Sequence, residues 1–190
     1  TIEVNGNVVG NEYAELRPEV NGRLTYLNVE EGSHIAQGTV LARINDADLV
    51  AQMEKSKVQL QLAEQTEQRL KKLLEVNGVN QSDYDAALNQ VNSLKADIDY
   101  TQTLIDKTVI KAPFSGVIGL RRVSPGQYVT SNDVIASIQQ LDKMKVDFTI
   151  PEQYNDAVKK GNTVDVELDA IKNVRKKARI VAIEPQINQD

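Results

Sequence analysis

Residues 46–107 read DADLVAQMEKSKVQLQLAEQTEQRLKKLLEVNGVNQSDYDAALNQVNSLKADIDYTQTLIDK, two heptad-patterned segments broken once at Val76-Asn77-Gly78-Val79-Asn80. In the first segment Leu49, Met53, Ser56, Leu60, Ala63, Glu67, Leu70 and Leu74 step by four and three in alternation, the spacing of a coiled-coil seam. Tyr84, Ala87, Val91, Leu94, Ile98, Thr101 and Ile105 form the matching seam of the second. Neither segment has a Pro or an internal Gly, so each is expected to be one continuous helix. Asn45 or Asp46 can cap the first, and Asn77-Gly78 tolerates the left-handed backbone needed at its end. Ser82 with Asp85 resembles a capping box for the second. An arm of about 28 to 30 residues extends about 40 to 45 Å. The other faces are polar, with Gln52, Glu54, Lys55, Gln59 and Glu64 among them, so each helix has one apolar neighbour. The pattern predicts an antiparallel helical hairpin; the alternative is a plain two-helix layer on a globular core.

On both sides of this stretch the period changes to that of strands. Residues 2–20 alternate apolar and polar, with Asn5-Gly6 and Gly10-Asn11 as turn signals, and strand signals continue from Gly22 to Ile44 around a turn at Glu30-Glu31-Gly32. Val109 to Ile118 returns to strand composition, and here an internal repeat emerges. A constant offset of 94 residues sets Gly116 on Gly22, Gly126 on Gly32, Val134 on Val40, Ala136 on Ala42 and Ile138 on Ile44. Leu24/Ile118, Ile35/Val129 and Leu41/Ile135 stay apolar at matched places. Gly38 meets Asn132, the other residue type that most readily takes positive φ. Each half is too small to bury its own apolar face, so the two are expected to interlock into one sandwich with the hairpin inserted between them.

Beyond Gln139 the register changes. Residues 145–150, 163–168 and 178–183 alternate as strands, Pro151 opens a short helix to about Lys159, and Gly161 follows its end. These make an incomplete second β-domain, to which residues 1–10 can add a strand. The predicted class is therefore α+β and elongated.

Composition narrows the chemistry. Net charge is −5, and the short clusters Lys71-Lys72 and Arg175-Lys176-Lys177 lack interleaved aromatics, which argues against nucleic acid. There is no cysteine, hence no disulfide, thiolate ligand or cysteine nucleophile. No apolar run reaches the roughly 18 to 20 residues that span a bilayer, and the opening Thr1-Ile2-Glu3-Val4 carries no signal pattern. His34, the one histidine, stands beside Glu30 and Glu31, a poor metal set, and any Ser-His-Asp triad would have to use it too. Asp83 and Asp85 read as helix-start residues favoured by the dipole. No catalytic group, metal site or cofactor is expected.

With these pieces placed, the chain resembles the periplasmic adaptors, or membrane fusion proteins, of bacterial tripartite efflux systems. The split lipoyl-like domain carries the resemblance, from Gly22-Arg23-Leu24 to Ile44 and from Ala112-Pro113-Phe114-Ser115-Gly116 to Ile138, with the hairpin between its halves and a partial β-barrel after Val146-Asp147-Phe148. The resemblance implies a lipoyl-like domain over 11–45 and 108–139, a hairpin over 46–107, and an incomplete barrel domain over 1–10 and 140–190. In that family the hairpin tip carries an Arg, a Leu four residues later and a Ser seven beyond that, all meeting the outer-membrane channel. Arg69 and Leu73 match here, while Asn80 stands where Ser is usual. The implied role is an adaptor of an RND-type inner-membrane transporter, ringed as a hexamer (a trimer of dimers), in the periplasm and attached to the inner membrane in a full-length protein. Family members usually extend further, so the sequence is expected to be a fragment. An ABC-type export adaptor, a structural coiled-coil spacer and a lipoyl or biotinyl carrier are the alternatives. A carrier needs a modifiable Lys at the junction of the halves, where Asn45-Asp46-Ala47-Asp48 stands; Lys143 of Asp142-Lys143-Met144 lies after the second half and reads as a linker lysine.

Overall fold

The offset of 94 residues becomes a symmetry of strands and hydrogen bonds in space. A computed structural model describes residues 3–151, 154, 158–167 and 175–184. In chain order the strands are β1 Gly6–Gly10, β2 Tyr13–Leu16, β3 Gly22–Leu27, β4 His34–Ile35, β5 Val40–Ile44, β6 Val109–Lys111, β7 Gly116–Ile118, β8 Tyr128–Val129, β9 Ala136–Gln139, β10 Met144–Phe148, β11 Thr163–Glu167 and β12 Arg175–Arg179. Helices α1 (Ala47–Glu75) and α2 (Gln81–Lys107) lie between β5 and β6. By density of contacts, residues 10–144 form one compact unit; the described residues of 1–9 and 145–190 form another.

Within residues 10–144, two four-stranded sheets run in the orders β2-β9-β7-β4 and β6-β5-β3-β8. Each is two central strands of one half flanked by edge strands of the other, and the offset converts one sheet into the other. The hydrogen bonds repeat with it. Gly32 N donates to Ile118 O at 2.9 Å and Gly126 N to Leu24 O at 3.0 Å; Asn28 N donates to Leu41 O at 2.7 Å and Arg122 N to Ile135 O at 2.8 Å. Side chains obey the same rule: Ser115 Oγ accepts from Gln37 N at 2.9 Å, and Asn21 Oδ1 from Ser131 N at 3.1 Å. The repeat therefore begins before Gly22, reaching Leu16 and Ile110, which occupy matched core positions.

The core follows from the pairing. Leu24, Leu41, Ile44, Ile118, Ile135 and Ile138 are three matched pairs and are each at most 2% exposed. Burial on this scale contributes about 1.5–3 kcal/mol per side chain. Gly32 and Gly126 both take positive φ, 78° and 81°, at the third residue of matched turns, as the type II turn demands. The expectation of a left-handed Asn132 fails: Gly38 has φ 82°, but Asn132 is not in that region. Asp133 explains the difference. Its carboxylate accepts from Thr130 N at 2.7 Å and Thr130 Oγ1 at 2.8 Å, closing the second turn without a left-handed residue. The Thr130 backbone N–H, with its hydroxyl second, holds the Asp133 carboxyl below the usual carboxylate range.

The helices leave from neighbouring strands of one sheet. Ile44 N donates to Thr108 O at 2.9 Å across the two ends, and Thr108 is 1% exposed. All eight seam positions of α1 are half-buried, while Val91, Leu94 and Thr101 of α2 are buried. Glu64 pairs with Lys95 at 3.2 Å and Glu67 lies near Tyr84, so partners descend α2 as they ascend α1. Asp46 makes no side-chain cap; Asn45 Oδ1 instead accepts from Ala47 N at 3.1 Å.

In the other unit β1 pairs with β10 and β11 with β12. Asn5-Gly6 is not a turn: β1 starts at Gly6, where a Cβ would meet Asp147 O at 2.8 Å, so glycine there admits the neighbouring backbone. The strand expected at 178–183 lies earlier, at Arg175–Arg179. Lys177 faces Asp165 and Arg175 faces Glu167 across the register, the latter pair at 3.3 Å, and Ile180 extends the pairing by donating to Asn162 O at 2.9 Å and accepting from Gly161 N at 2.8 Å. Residues 152, 153 and 155–157 of the expected short helix, Leu168 at the end of the second strand, Ile2, and Asn188-Gln189-Asp190 lie outside the described residues.

Candidate functional site

The turn joining the helices is built by its own backbone. Gly78 N donates to Leu73 O at 2.7 Å and Asn77 N to Leu74 O at 3.0 Å, the paired bonds of a Schellman motif, with Asn77 at φ 54°. A left-handed Asn costs less than most residues there because its short polar side chain tolerates the conformation. Four residues later the chain re-enters a helix. Asn80, extended at φ −83° and ψ 161°, is the N-cap, and its Oδ1 accepts from Asp83 N at 2.8 Å. Ser82 therefore does not start the helix; it already lies within α2, and Asn80 with Asp83 three residues on occupies the capping positions instead.

Three residues expected at this end receive different settings. Arg69 and Leu73, one turn apart on α1, share a face; Leu73 is 39% exposed, and Arg69 is exposed with no ion pair among the described residues. Gly78 lies against Leu73, so close that a Cβ there would stand 3.3 Å from Leu73 O. The turn thus braces Leu73 while leaving its outer side open. Asn80 has its side-chain oxygen committed to the helix start, a structural duty that a Ser at this position would also perform. Val76, 73% exposed, is the C-cap that ends α1, seven places beyond Arg69; inference from the residues took it only as part of the break between the helices.

Two turns back from the loop, the Tyr84 hydroxyl faces the Glu67 carboxylate across the seam. The neighbouring Glu67 carboxylate, foremost among the causes, pushes the Tyr84 hydroxyl above its ordinary range. Elsewhere, His34 Nε2 lies 3.8 Å from Asp142 Oδ2 rather than beside Glu30, and Glu31 accepts from Arg121 N at 3.0 Å. Lys143 sits in the bend between β9 and β10, its carbonyl accepting from Asn11 N at 3.2 Å. Among the described residues no group of three His, Asp or Glu side chains is placed to hold a metal, and no helix is long and apolar enough to cross a membrane.

Two interleaved half-sandwiches carrying a helix pair at their junction define a class. A family model described as the RND MFP barrel-sandwich hybrid domain matches residues 12–140, and the chain belongs to that family, one of efflux linkers and not of enzymes. An uncharacterized protein of Haemophilus influenzae is 31% identical over 187 residues, covering 98% of this chain and 49% of its own length. The antibiotic efflux pump periplasmic linker protein ArpA of Pseudomonas putida is 32% identical over 151 residues, covering 78% and 39%. A MacA-MexA chimeric protein containing the Pseudomonas aeruginosa MexA α-hairpin domain superposes with a TM-score of 0.81 at 25% identity, over 97% of this chain and 69% of that one. The chain spans about half or less of the length of these curated relatives.

Proposed function

We propose that this chain is the central part of a periplasmic adaptor that joins an RND-type inner-membrane transporter to an outer-membrane channel. In this reading α1 and α2 form an antiparallel coiled-coil hairpin, the arm of the adaptor. Residues 11–45 with 108–139 form the lipoyl-like domain, and 1–10 with 140–190 belong to a barrel domain facing the transporter. Copies assemble into a ring, as a hexamer built of three dimers. Kinship with a periplasmic linker and with the RND family favours this over an ABC-type exporter.

The observation that carries the reading is the far end of the helix pair. A family member that only needed a core would not present Arg69, Leu73 and Val76 to solvent at a turn rigidified by two backbone bonds and a side-chain cap. Arg69 offers a directed charge and Leu73 a braced apolar knob to the grooves of the channel's helices, the kind of anchors that dominate protein interfaces. The complete adaptor carrying Arg69→Glu and Leu73→Asp is expected to fold normally, lose co-purification with its channel and fail to support efflux. Retained channel binding by this double variant would falsify the assignment of the tip.

A further inference from the structure

The two sheets of the 10–144 unit are built alike, yet their outer faces carry different chemistry. On β3, Arg23 alternates with the buried Leu24 and lies opposite Tyr128 of β8, whose neighbour Val129 is enclosed, so both side chains point away from the core. Arg43 of β5 stands between the enclosed Ala42 and Ile44 and lies opposite Tyr26 of β3, which puts this second pair on the same outer face. Asn45 N donates to Arg23 O at 2.9 Å, so Arg43 is two residues from the place abreast of Arg23. Diagonal neighbours of this kind are about 7 Å apart. Lys111 is exposed beside the buried Ile110 on β6, at the edge of the same face.

The offset of 94 residues supplies a control inside the molecule. At the matched places of the other half stand Val117 for Arg23, Ser137 for Arg43, Leu120 for Tyr26 and His34 for Tyr128. The same architecture is thus built without two rings and two guanidiniums on its surface. None of β3, β5, β6 and β8 contains an Asp or Glu, in a chain whose net charge is −5. Arg23, Arg43 and Lys111 have no ion pair among the described residues. Tyr26 is 43% exposed and Tyr128 65%, so both rings are open to a ligand.

We infer that this face binds an acidic polysaccharide, a chain of sugar rings bearing carboxylates. A pyranose presents weakly positive C–H bonds that lie against the negative face of a Tyr ring, and each guanidinium takes a carboxylate in a two-pronged hydrogen bond. An open sheet face with cations a fixed step apart suits an extended polymer, whereas a small molecule needs a concave site. An acidic peptide would engage the arginines but bring no flat bodies for the two rings. Nucleic acid fits less well, since three cations offset few phosphates and a chain of net negative charge repels a polymer charged at every nucleotide. The face uses none of the residues assigned to the channel contact.

The probe is a set of uronate oligomers cut from alginate, titrated into the full chain by calorimetry beside the same oligomers with their carboxyls reduced to alcohols. The acidic oligomers should bind with an affinity that falls as salt rises, and the reduced ones about tenfold or more weakly. Arg23→Val with Arg43→Ser, the residues the matched positions already carry, should weaken binding by about tenfold or more and flatten its salt dependence. Tyr26→Leu with Tyr128→Leu should weaken it by about three- to tenfold and leave the salt dependence in place. Amide-exchange protection of the core checks folding, and Arg23→Gln with Arg43→Gln, which keeps polar side chains on the surface, serves if the first arginine variant does not fold. No binding of the acidic oligomers, undiminished binding by a folded arginine variant, or equal binding of polyglutamate or single-stranded DNA overturns the inference.

Discussion

The paired sheets and the helix pair solve the same problem, burial of apolar surface, on different scales of sequence. In the sheets Val129, Ile135, Ala136 and Ile138 are wholly enclosed, and every sheet borrows strands from both halves. In the helix pair α1 has no buried residue at all and α2 has three. Stability in the first is non-local and cooperative; in the second it is local, one-sided and weak per residue. The difference teaches where the molecule can give up surface. A body with a closed core spends its aliphatic side chains inward, whereas helices with only a narrow seam keep most of their circumference available.

That contrast can be broken. Ile138→Ala removes a fully enclosed side chain and should cost about 2–5 kcal/mol, seen as a lower denaturant midpoint of the whole 10–144 unit. Leu60→Ala, at a half-buried seam position, should cost clearly less; equal losses would mean that the helices share the main core. Next in size, Asn80→Ala deletes the α2 cap and should cost about 1 kcal/mol, confined to amide exchange near the turn, while Asn80→Ser should restore it. If Asn80→Ala speeds exchange in the sheets equally, the two regions unfold as one.

A smaller effect concerns the seam's polar contact. The Tyr84 hydroxyl titrates above its unfolded value, so its contribution is complete below the unfolded pKa and is lost as pH rises through the folded one. The pair should therefore loosen in alkali, and Tyr84→Phe should abolish that dependence; helical circular dichroism followed across the tyrosine range checks it. The least change is expected from the largest edit. Exchanging residues 46–107 for a short turn should leave the sheets folded with their exchange protection intact, and an unfolded product would show that the helices support the core.

Much of this was legible because periodicity is local. The heptad seam could be read residue by residue, and each of its α1 positions is half-buried. The repeat was legible from Gly22 onward because glycines and core aliphatics coincide there. Its earlier part, Leu16 on Ile110 and Val20 on Phe114, keeps only apolar character, too little signal for an offset to register. Strand exchange between halves was not legible, since which edge pairs with which strand is decided by distant partners. The cap of α2 was misplaced because Asn80 and Ser82 are both competent caps, and the Schellman turn ending α1 determines which one comes first. The shift of β12 has a similar origin, since its bounds are set by pairing with β11, which alternation within the run itself does not show. Arg69 and Leu73 came from family resemblance; Val58 and Leu62, more exposed than Leu73, belong to no motif.

The interleaving of the halves also bears on how the chain acquires its shape as it leaves the ribosome. β2 cannot meet β9 until residue 139 has emerged, so the sheets wait while the intervening segment is made. Helices zip by neighbour contacts in microseconds. Once α1 and α2 have met, the ends at Ile44 and Thr108 are already adjacent, and the long detour between β5 and β6 counts as a short loop in the entropy of closure. The insertion thus serves the nascent body as a clasp.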